Sequence, residues 1–171
     1  MNNILLNSDM TIESFQNFMD EVNTSLRVGG DIYLYICSDG GKASTVPMFR
    51  SIIERHGINL IACSELASAA VELFLTSNVQ RTVLDNTTAM VHKPYFKGVA
   101  FNKDVQPLRS ADKLWLNLFK EPIKASELVK TFIDFTEEEQ QVFDNDGDVY
   151  LNEERLKKAL KKSEKYFAEK K

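Results

Sequence analysis

The chain is 171 residues long, 43% hydrophobic and 27% charged, with a formal net charge of -4. That size and composition predict a single domain over residues 1–171 with a sizeable core, and exclude a second full domain. The acidic balance gives no case for nucleic acid, and no apolar run approaches the roughly 18 residues that a membrane span needs. Residues 1–7 are too short and uncharged for a secretory signal, so a cytoplasmic protein with no membrane association is expected.

Ile12, Phe15, Met19, Val22 and Leu26 recur at spacings of three and four and predict a helix from Thr11, ended by Gly29-Gly30. Residues 31–37 are a continuous run rich in β-formers, expected as a strand buried on both faces of a parallel sheet. Ser38-Asp39-Gly40-Gly41-Lys42 follows as a glycine turn at that strand's C-terminal end. Val46, Phe49, Ile52 and Ile53 predict a second helix, with Ser44 or Thr45 as cap, Pro47 in its first turn and His56-Gly57 at its close. Residues 58–63 read as a second buried strand and residues 68–75 as an apolar helix. Strand, helix, strand, helix predicts βαβ crossovers and an α/β fold. Shorter strands over 79–84 and 89–92 flank the turn Asp85-Asn86-Thr87-Thr88, and Pro94 stops the second.

From Tyr95 the pattern turns to helices joined by loops. Residues 107–119 and 126–133 both look amphipathic, and their apolar surface predicts packing on a neighbouring subunit. Thr136 and Glu139 have capping-box spacing, and Asn152 caps a final Lys-rich helix over 152–171 with Leu156 and Leu160 on its inner face. That helix carries eight Lys/Arg against four Glu, which reads as a solvated face. Cys37 and Cys63 fall in separate strand-like runs and are expected as buried free thiols, with no disulfide.

Three separated residues carry the chemistry. Ser68 stands where a strand gives way to a helix, so its hydroxyl points out of the turn beside the free N–H groups of the first helical turn. His92 ends a strand, and Asp148 lies in the loop before the last helix. A serine nucleophile, its general base and a carboxylate that fixes the base's tautomer need those residue types. His56, the only other histidine, sits in a helix-to-strand turn and reads as a surface residue. Asp144, Asp146, Gly147 and Glu153 also match positions 3, 5, 6 and 12 of a calcium-binding EF-hand loop, Gly147 as its turn glycine. Val142 stands at that loop's first position and offers no carboxylate, so a solvated acidic turn is the preferred reading and no metal site is assigned.

Residues 31–41, DIYLYICSDGG, resemble the DIYLYINSPGG signature of the proteolytic subunit of the Clp protease, ClpP. Leu66-Ala67-Ser68-Ala69-Ala70 is similar to that family's AASMG nucleophile turn, and Met90-Val91-His92-Lys93-Pro94 to the HQP segment around its histidine. Asp148 to Glu154 resembles the stretch that carries its aspartate. The resemblance covers about residues 4–160 and is most specific around residues 31–41, Ser68 and His92. It implies a ClpP/crotonase-like βαβ superhelix with a protruding helical handle at about 97–135. Ser68 would be the nucleophile, His92 the general acid/base, Asp148 the orienting carboxylate, and the backbone N–H groups of Gly41 and Ala69 the oxyanion hole, with no cofactor. The implied activity is a serine peptidase acting on peptides or unfolded protein inside a homo-oligomeric ring, or two stacked rings. The family's partner is an AAA+ unfoldase.

Departures from the pattern define the alternatives. Asp39 replaces the proline of SPGG, Ser64 the glycine that opens the nucleophile turn, and Ala69 the bulky residue after the nucleophile. The short N-terminus and the absence of the YGLID ending speak against unfoldase docking. A catalytically silent ring or partner subunit of the same fold, and a crotonase-like acyl-CoA enzyme that uses the paired N–H groups without the triad, are the rival readings.

Overall fold

The computed structural model describes residues 1–93, the backbone of 95–96 and 99–100, and residues 124–170. The expected 107–119 helix and most of the expected handle, 97–135, lie outside the described residues.

The chain is α/β. In order it forms β1 (Asn2–Leu6), α1 (Ile12–Val28), β2 (Ile32–Ser38), a 3-10 turn (Ala43–Thr45), α2 (Val46–His56), β3 (Asn59–Ala67), α3 (Ala69–Thr76), β4 (Arg81–Val83) and β5 (Thr88–Val91). β6 (Tyr95–Phe96), β7 (Val99–Ala100), α4 (124–132), α5 (Glu137–Asp144), β8 (Val149–Leu151) and α6 (Glu153–Ala168) follow. The main sheet is mixed and runs β1-β2-β3-β5-β8, with β4 beside β5 along the same edge of β3. All its pairings are parallel except β5 with β8. Thr87 steers the turn between β4 and β5 by donating to the carbonyls of Leu84 (2.7 Å) and Ala62 (3.2 Å). β6 and β7 pair with each other as a separate ribbon.

Three caps act as the residue types dictate, and one expected cap does not: neither Ser44 nor Thr45 caps α2 through its side chain, because Thr45, at the N-cap position, donates its hydroxyl to the Lys42 carbonyl at 2.7 Å instead. Thr11 and Ser14 form a reciprocal capping box for α1, Thr136 and Glu139 one for α5, and the Asn152 side chain accepts from Arg155 N–H to start α6. Glu139 has a second duty: its carboxylate receives both terminal nitrogens of Arg155 (2.6 and 2.7 Å), tying α6 to α5. Arg155 and the Thr136 N–H hold the Glu139 carboxyl below its ordinary range. The lysine-rich helix buries Leu156, Ala159, Leu160 and Ser163 and turns most of its lysines to solvent.

Three expectations change. In α1 the buried stripe is Ser14, Phe18, Val22 and Ser25, while Ile12 and Leu26 are exposed. The helix packs through Phe18, whose ring meets Phe49 of α2 at 5.2 Å, so the inner face is rotated from the one that sequence spacing suggests. β2 is buried on one face only: Ile32, Leu34, Ile36 and Ser38 enter the core, and Tyr33, Tyr35 and Cys37 alternate with them half-exposed. Cys63 is likewise half-exposed, so neither thiol is buried as expected. The second strand also runs past Cys63 to Ala67, because a bulge carries it on. Register jumps from Ile36 opposite Ala62 to Ser38 opposite Leu66, and Ser64 takes a φ of +59°.

α3 is buried along its whole length, as a helix apolar on all sides must be. Two charged groups accompany it. Arg81, 6% exposed, donates to the carbonyls of Phe74 (3.2 Å) and Leu75 (2.9 Å) and to Ser163 Oγ (2.8 Å). It places a cation at the helix's C-terminal end, where the dipole favours one, and locks α6 onto α3. Burial pushes its pKa down to about 10, although Glu164 and Glu54 act the other way. Glu72, 8% exposed, is the one carboxylate within α3. Burial pushes its pKa up from 4.5 to about 8, and the opposing pull of Arg50 is smaller.

Glu72 therefore keeps its proton in the folded chain while the unfolded chain loses it above pH 4.5. The folded state then binds more protons, so stability falls between pH 4.5 and about 8, by up to about 1.4 kcal/mol per unit. Thermal melts of Glu72→Gln are expected to lose that slope, with the variant equal to the parent near pH 4.5 and clearly more stable at pH 8. Parallel pH profiles would show that Glu72 is ionised and solvated instead.

Candidate functional site

The site candidates gather at the C-terminal ends of β2, β3 and β5, where a mostly parallel sheet presents its loops. β3 leads directly into Ser68, which takes φ 52° and ψ -118°, and Ala69 then opens α3. A non-glycine residue with positive φ in this region is strained and persists only where its surroundings fix it. Here the Ser68 N–H donates to the Met90 carbonyl of β5 at 2.8 Å, and the Ser68 carbonyl accepts from Glu72 N–H at 3.2 Å. The strand holds one side of the residue and the helix the other. This is the strand-to-helix elbow that exposes a side chain at a sheet's edge, and Ser68 is half-buried on it.

The glycine loop lies against this elbow. Ser38 Oγ donates to the Ser8 carbonyl (2.7 Å) and accepts from Gly40 N–H (3.2 Å), which starts the turn. Gly40 has φ +95°, and a Cβ there would meet the Ala67 carbonyl oxygen at 2.5 Å, Ser68 Cβ at 2.8 Å and Ala69 N at 3.0 Å. Gly41, with φ +133°, is equally crowded by the Met10 backbone. Met10 N–H donates to the Gly40 carbonyl (2.5 Å), and the Met10 carbonyl accepts from Lys42 N–H (2.9 Å). That is a parallel bridge in which Met10 bonds to the residues on either side of Gly41, so Gly41's own N–H is directed away from Met10. Neither the Gly41 nor the Ala69 N–H takes part in the loop and cap bonds around them. Two backbone donors and a serine hydroxyl thus belong to segments in van der Waals contact, a framework suited to an anion.

The acid–base side is less complete. β5 and β8 pair Met90 with Tyr150 and Val91 with Val149, so the next step of the ladder sets His92 opposite Asp148. Among the described residues, however, no hydrogen bond joins Ser68 to His92 or His92 to Asp148. His92 Nδ1 instead lies 2.6 Å from the carbonyl oxygen of Lys93, and Asp148 is exposed. A carbonyl only accepts, so this contact is a bond when Nδ1 carries the proton, which leaves Nε2 as the basic nitrogen of the neutral ring. His56 is exposed, as expected.

The acidic loop is an ion-pair junction. Asp144 pairs with Lys130 (3.2 Å), Asp146 with Lys93 (3.5 Å) and Glu153 with Lys157 (2.5 Å), and Lys93 Nζ also donates to the Asp144 carbonyl (2.5 Å). Among the described residues no group of three or more His, Cys, Asp or Glu is arranged to hold a metal ion. Lys93 joins the end of β5 to the loop that leads into Asp148. No helix among the described residues is long and apolar enough to cross a membrane.

Three contributors are not visible as site residues in the sequence. Gly40, rather than Gly41, touches the elbow; the Met10 backbone holds the loop; and Glu72 lies one helical turn beyond Ser68. The signals available were the glycine pair itself and a lone carboxylate in the apolar run 69–75.

Gly40→Ala is expected to cost about 2–4 kcal/mol in urea melts, from its backbone overlap plus the positive φ. Gly57→Ala, at the left-handed φ +60° and ψ 37° with nothing within 4 Å, should cost about 1–2 kcal/mol. Equal losses would mean that the loop does not press on the elbow. No known family model matches the sequence, and a search of curated proteins finds no relative for it.

Proposed function

We propose that the chain is a ClpP-like serine peptidase of crotonase-like fold, acting on peptides or unfolded protein as a ring-forming homo-oligomer. The observation that carries this reading is the strained elbow at Ser68, with the Gly40-Gly41 loop packed against it and the Ala69 N–H beside it. The sheet order and the antiparallel pairing of β8 with β5, whose last pair directly precedes His92 and follows Asp148 in the chain, add support.

In the proposed reaction Ser68 Oγ attacks the scissile carbonyl and His92 Nε2 takes its proton. The oxyanion that develops is held by the Gly41 and Ala69 N–H groups, each such donor contributing roughly 10²–10³ in rate. His92 then returns the proton to the leaving amine, and water repeats the sequence on the acyl-enzyme. For this, Asp148 replaces the Lys93 carbonyl as the acceptor of His92 Nδ1–H. His92 and Asp148 each lie directly past the last pair of the β5–β8 ladder, and acid–base contacts of this kind often tighten only in the reactive complex.

The contact of His92 with Lys93, and the exposure of Asp148, favour one second reading: a catalytically silent subunit of the same fold. A fluorophosphonate probe separates the two. Ser68 is expected to be labelled in the assembled protein, Ser68→Ala to lose all labelling, and His92→Ala and Asp148→Ala to slow it roughly 10³-fold or more. An unlabelled Ser68 in correctly folded protein ends the peptidase reading and leaves the silent subunit. A crotonase-like acyl-CoA enzyme would instead keep its turnover in Ser68→Ala.

A further inference from the structure

The strand register brings together two residues that the sequence separates. β2 and β3 pair Leu34 with Leu60, Tyr35 with Ile61 and Ile36 with Ala62, and the register then breaks; Cys37 and Cys63 each directly follow that last regular pair, on adjacent strands. Both thiols project from the face opposite the core, because Ile36, Ser38 and Ala62 are buried and the cysteines alternate with them. Both are half-exposed, so small solutes reach them. The Cys63 thiol leans across the strand gap: its Sγ is 3.5 Å from the carbonyl oxygen of Ile36, the group bonded to Cys37 N.

We propose that Cys37 and Cys63 are a reversible dithiol pair, which a peroxide converts into an intrachain disulfide across β2 and β3. Neighbouring strands lie about 4.7–4.9 Å apart, within the roughly 4.4–6.8 Å that disulfide-linked Cα atoms span. The electrostatics agree with that proximity. Burial raises the Cys63 pKa first, and the nearby Cys37 adds to the rise, since two thiolates side by side repel. One thiolate attacks a peroxide oxygen, giving a sulfenic acid and, with one proton, water. The second sulfur then attacks the sulfenic sulfur, the S–S bond forms, and the departing hydroxide takes the remaining thiol proton as a second water. Two thiols lose two electrons in all, and one hydrogen peroxide is reduced to two waters.

The pair stands immediately before both segments that build the candidate site: Cys37 precedes the Ser38 to Gly41 turn, and Cys63 precedes Ser64 and the strand end that leads to Ser68. A cross-link there pins the two strands at the point where their register breaks. The inference goes beyond the peptidase reading, because forming the bond needs nothing from Ser68.

The test uses the whole protein. After treatment with hydrogen peroxide, peptide mapping without reductant is expected to find the Cys37 and Cys63 peptides joined, and separate again after dithiothreitol. The joined species should be absent from Cys37→Ser and from Cys63→Ser, and present in Ser68→Ala as in the parent. Dibromobimane, which fluoresces on bridging two adjacent thiols, is expected to light up with the reduced native parent and with neither single variant. If peroxide yields only higher sulfur acids or chain-to-chain dimers, or if dibromobimane fails to bridge the native parent, the proposal is overturned. Loss of probe labelling at Ser68 would leave this result untouched.

Discussion

The burial of α3 is the constraint on which the rest of the structure depends. Every residue from Ala69 to Thr76 is buried, so the helix cannot rotate or slide without opening the core on several sides at once. Its C-terminal end is fixed by Arg81 and Ser163, whose hydroxyl also donates to the Leu75 carbonyl at 2.5 Å. Its N-terminal end is fixed by β3, which is paired with β2 on one edge and with β4 and β5 on the other. Ser68 is the single residue between two immobile elements. A strained conformation of the kind that costs roughly 1–3 kcal/mol survives there because neither neighbour can relax. The buried charge of Arg81 is tolerable for the same reason: three acceptors and the helix dipole receive it, and the Phe167 ring lies 5.8 Å beneath its guanidinium.

The two halves of the candidate site are built by different physics. The anion-facing half consists of backbone: Gly40 against the elbow, Gly41 turned away from Met10, and Ala69 at the first position of a buried helix. Backbone groups cannot change rotamer, so this half is preorganised wherever the fold is intact. The other half, His92 and Asp148, consists of side chains just past the last pair of a ladder. His92 and Asp148 stand one step past the final pair of β5 and β8, and Lys93 finds partners in the acidic loop, so their placement depends on side-chain rotamers rather than on the ladder.

Much of this was legible in residue order, and the failures have physical causes. Ser68, the glycine turn and the helix caps could be read because each follows from local chemistry: a small residue at a junction, a backbone that must pass close, a side chain that replaces a missing hydrogen bond. β1 and β8 were not, because each is short and contributes only two core residues, Ile4 and Leu6 or Val149 and Leu151, on either side of an exposed Leu5 or Tyr150 that breaks the apolar–polar alternation. The rotated face of α1 escaped because an apolar stripe alone does not say which of two adjacent ridges meets the sheet. The Cys37 and Cys63 pairing escaped for a deeper reason. Register between parallel strands is set by the intervening crossover and by packing, and leaves no trace at a spacing of 26 residues.

The two departures from the family pattern that bear most on the site acquire separate physical meanings. Asp39 is exposed, so its carboxylate faces water, where a unit charge even 4 Å away is worth only about 1 kcal/mol. The loop beside it is shaped by the positive φ of Gly40 and Gly41, and neither depends on the ring of a proline at residue 39. Ser64 is the more consequential change. It occupies a left-handed position, φ +59°, at the bulge that lengthens β3 toward Ser68, where glycine would be free of strain. A short polar side chain tolerates that conformation at moderate cost, and Ser64 is exposed, so its hydroxyl stays hydrated. The bulge therefore persists with serine in place of glycine, and β3 still carries through Ala67 into the elbow. Since the register beyond the bulge aligns Ser38 with Leu66, the same irregularity that strains Ser64 also brings the glycine turn level with Ser68. Removing the bulge would relieve one residue and draw the glycine turn out of register with Ser68.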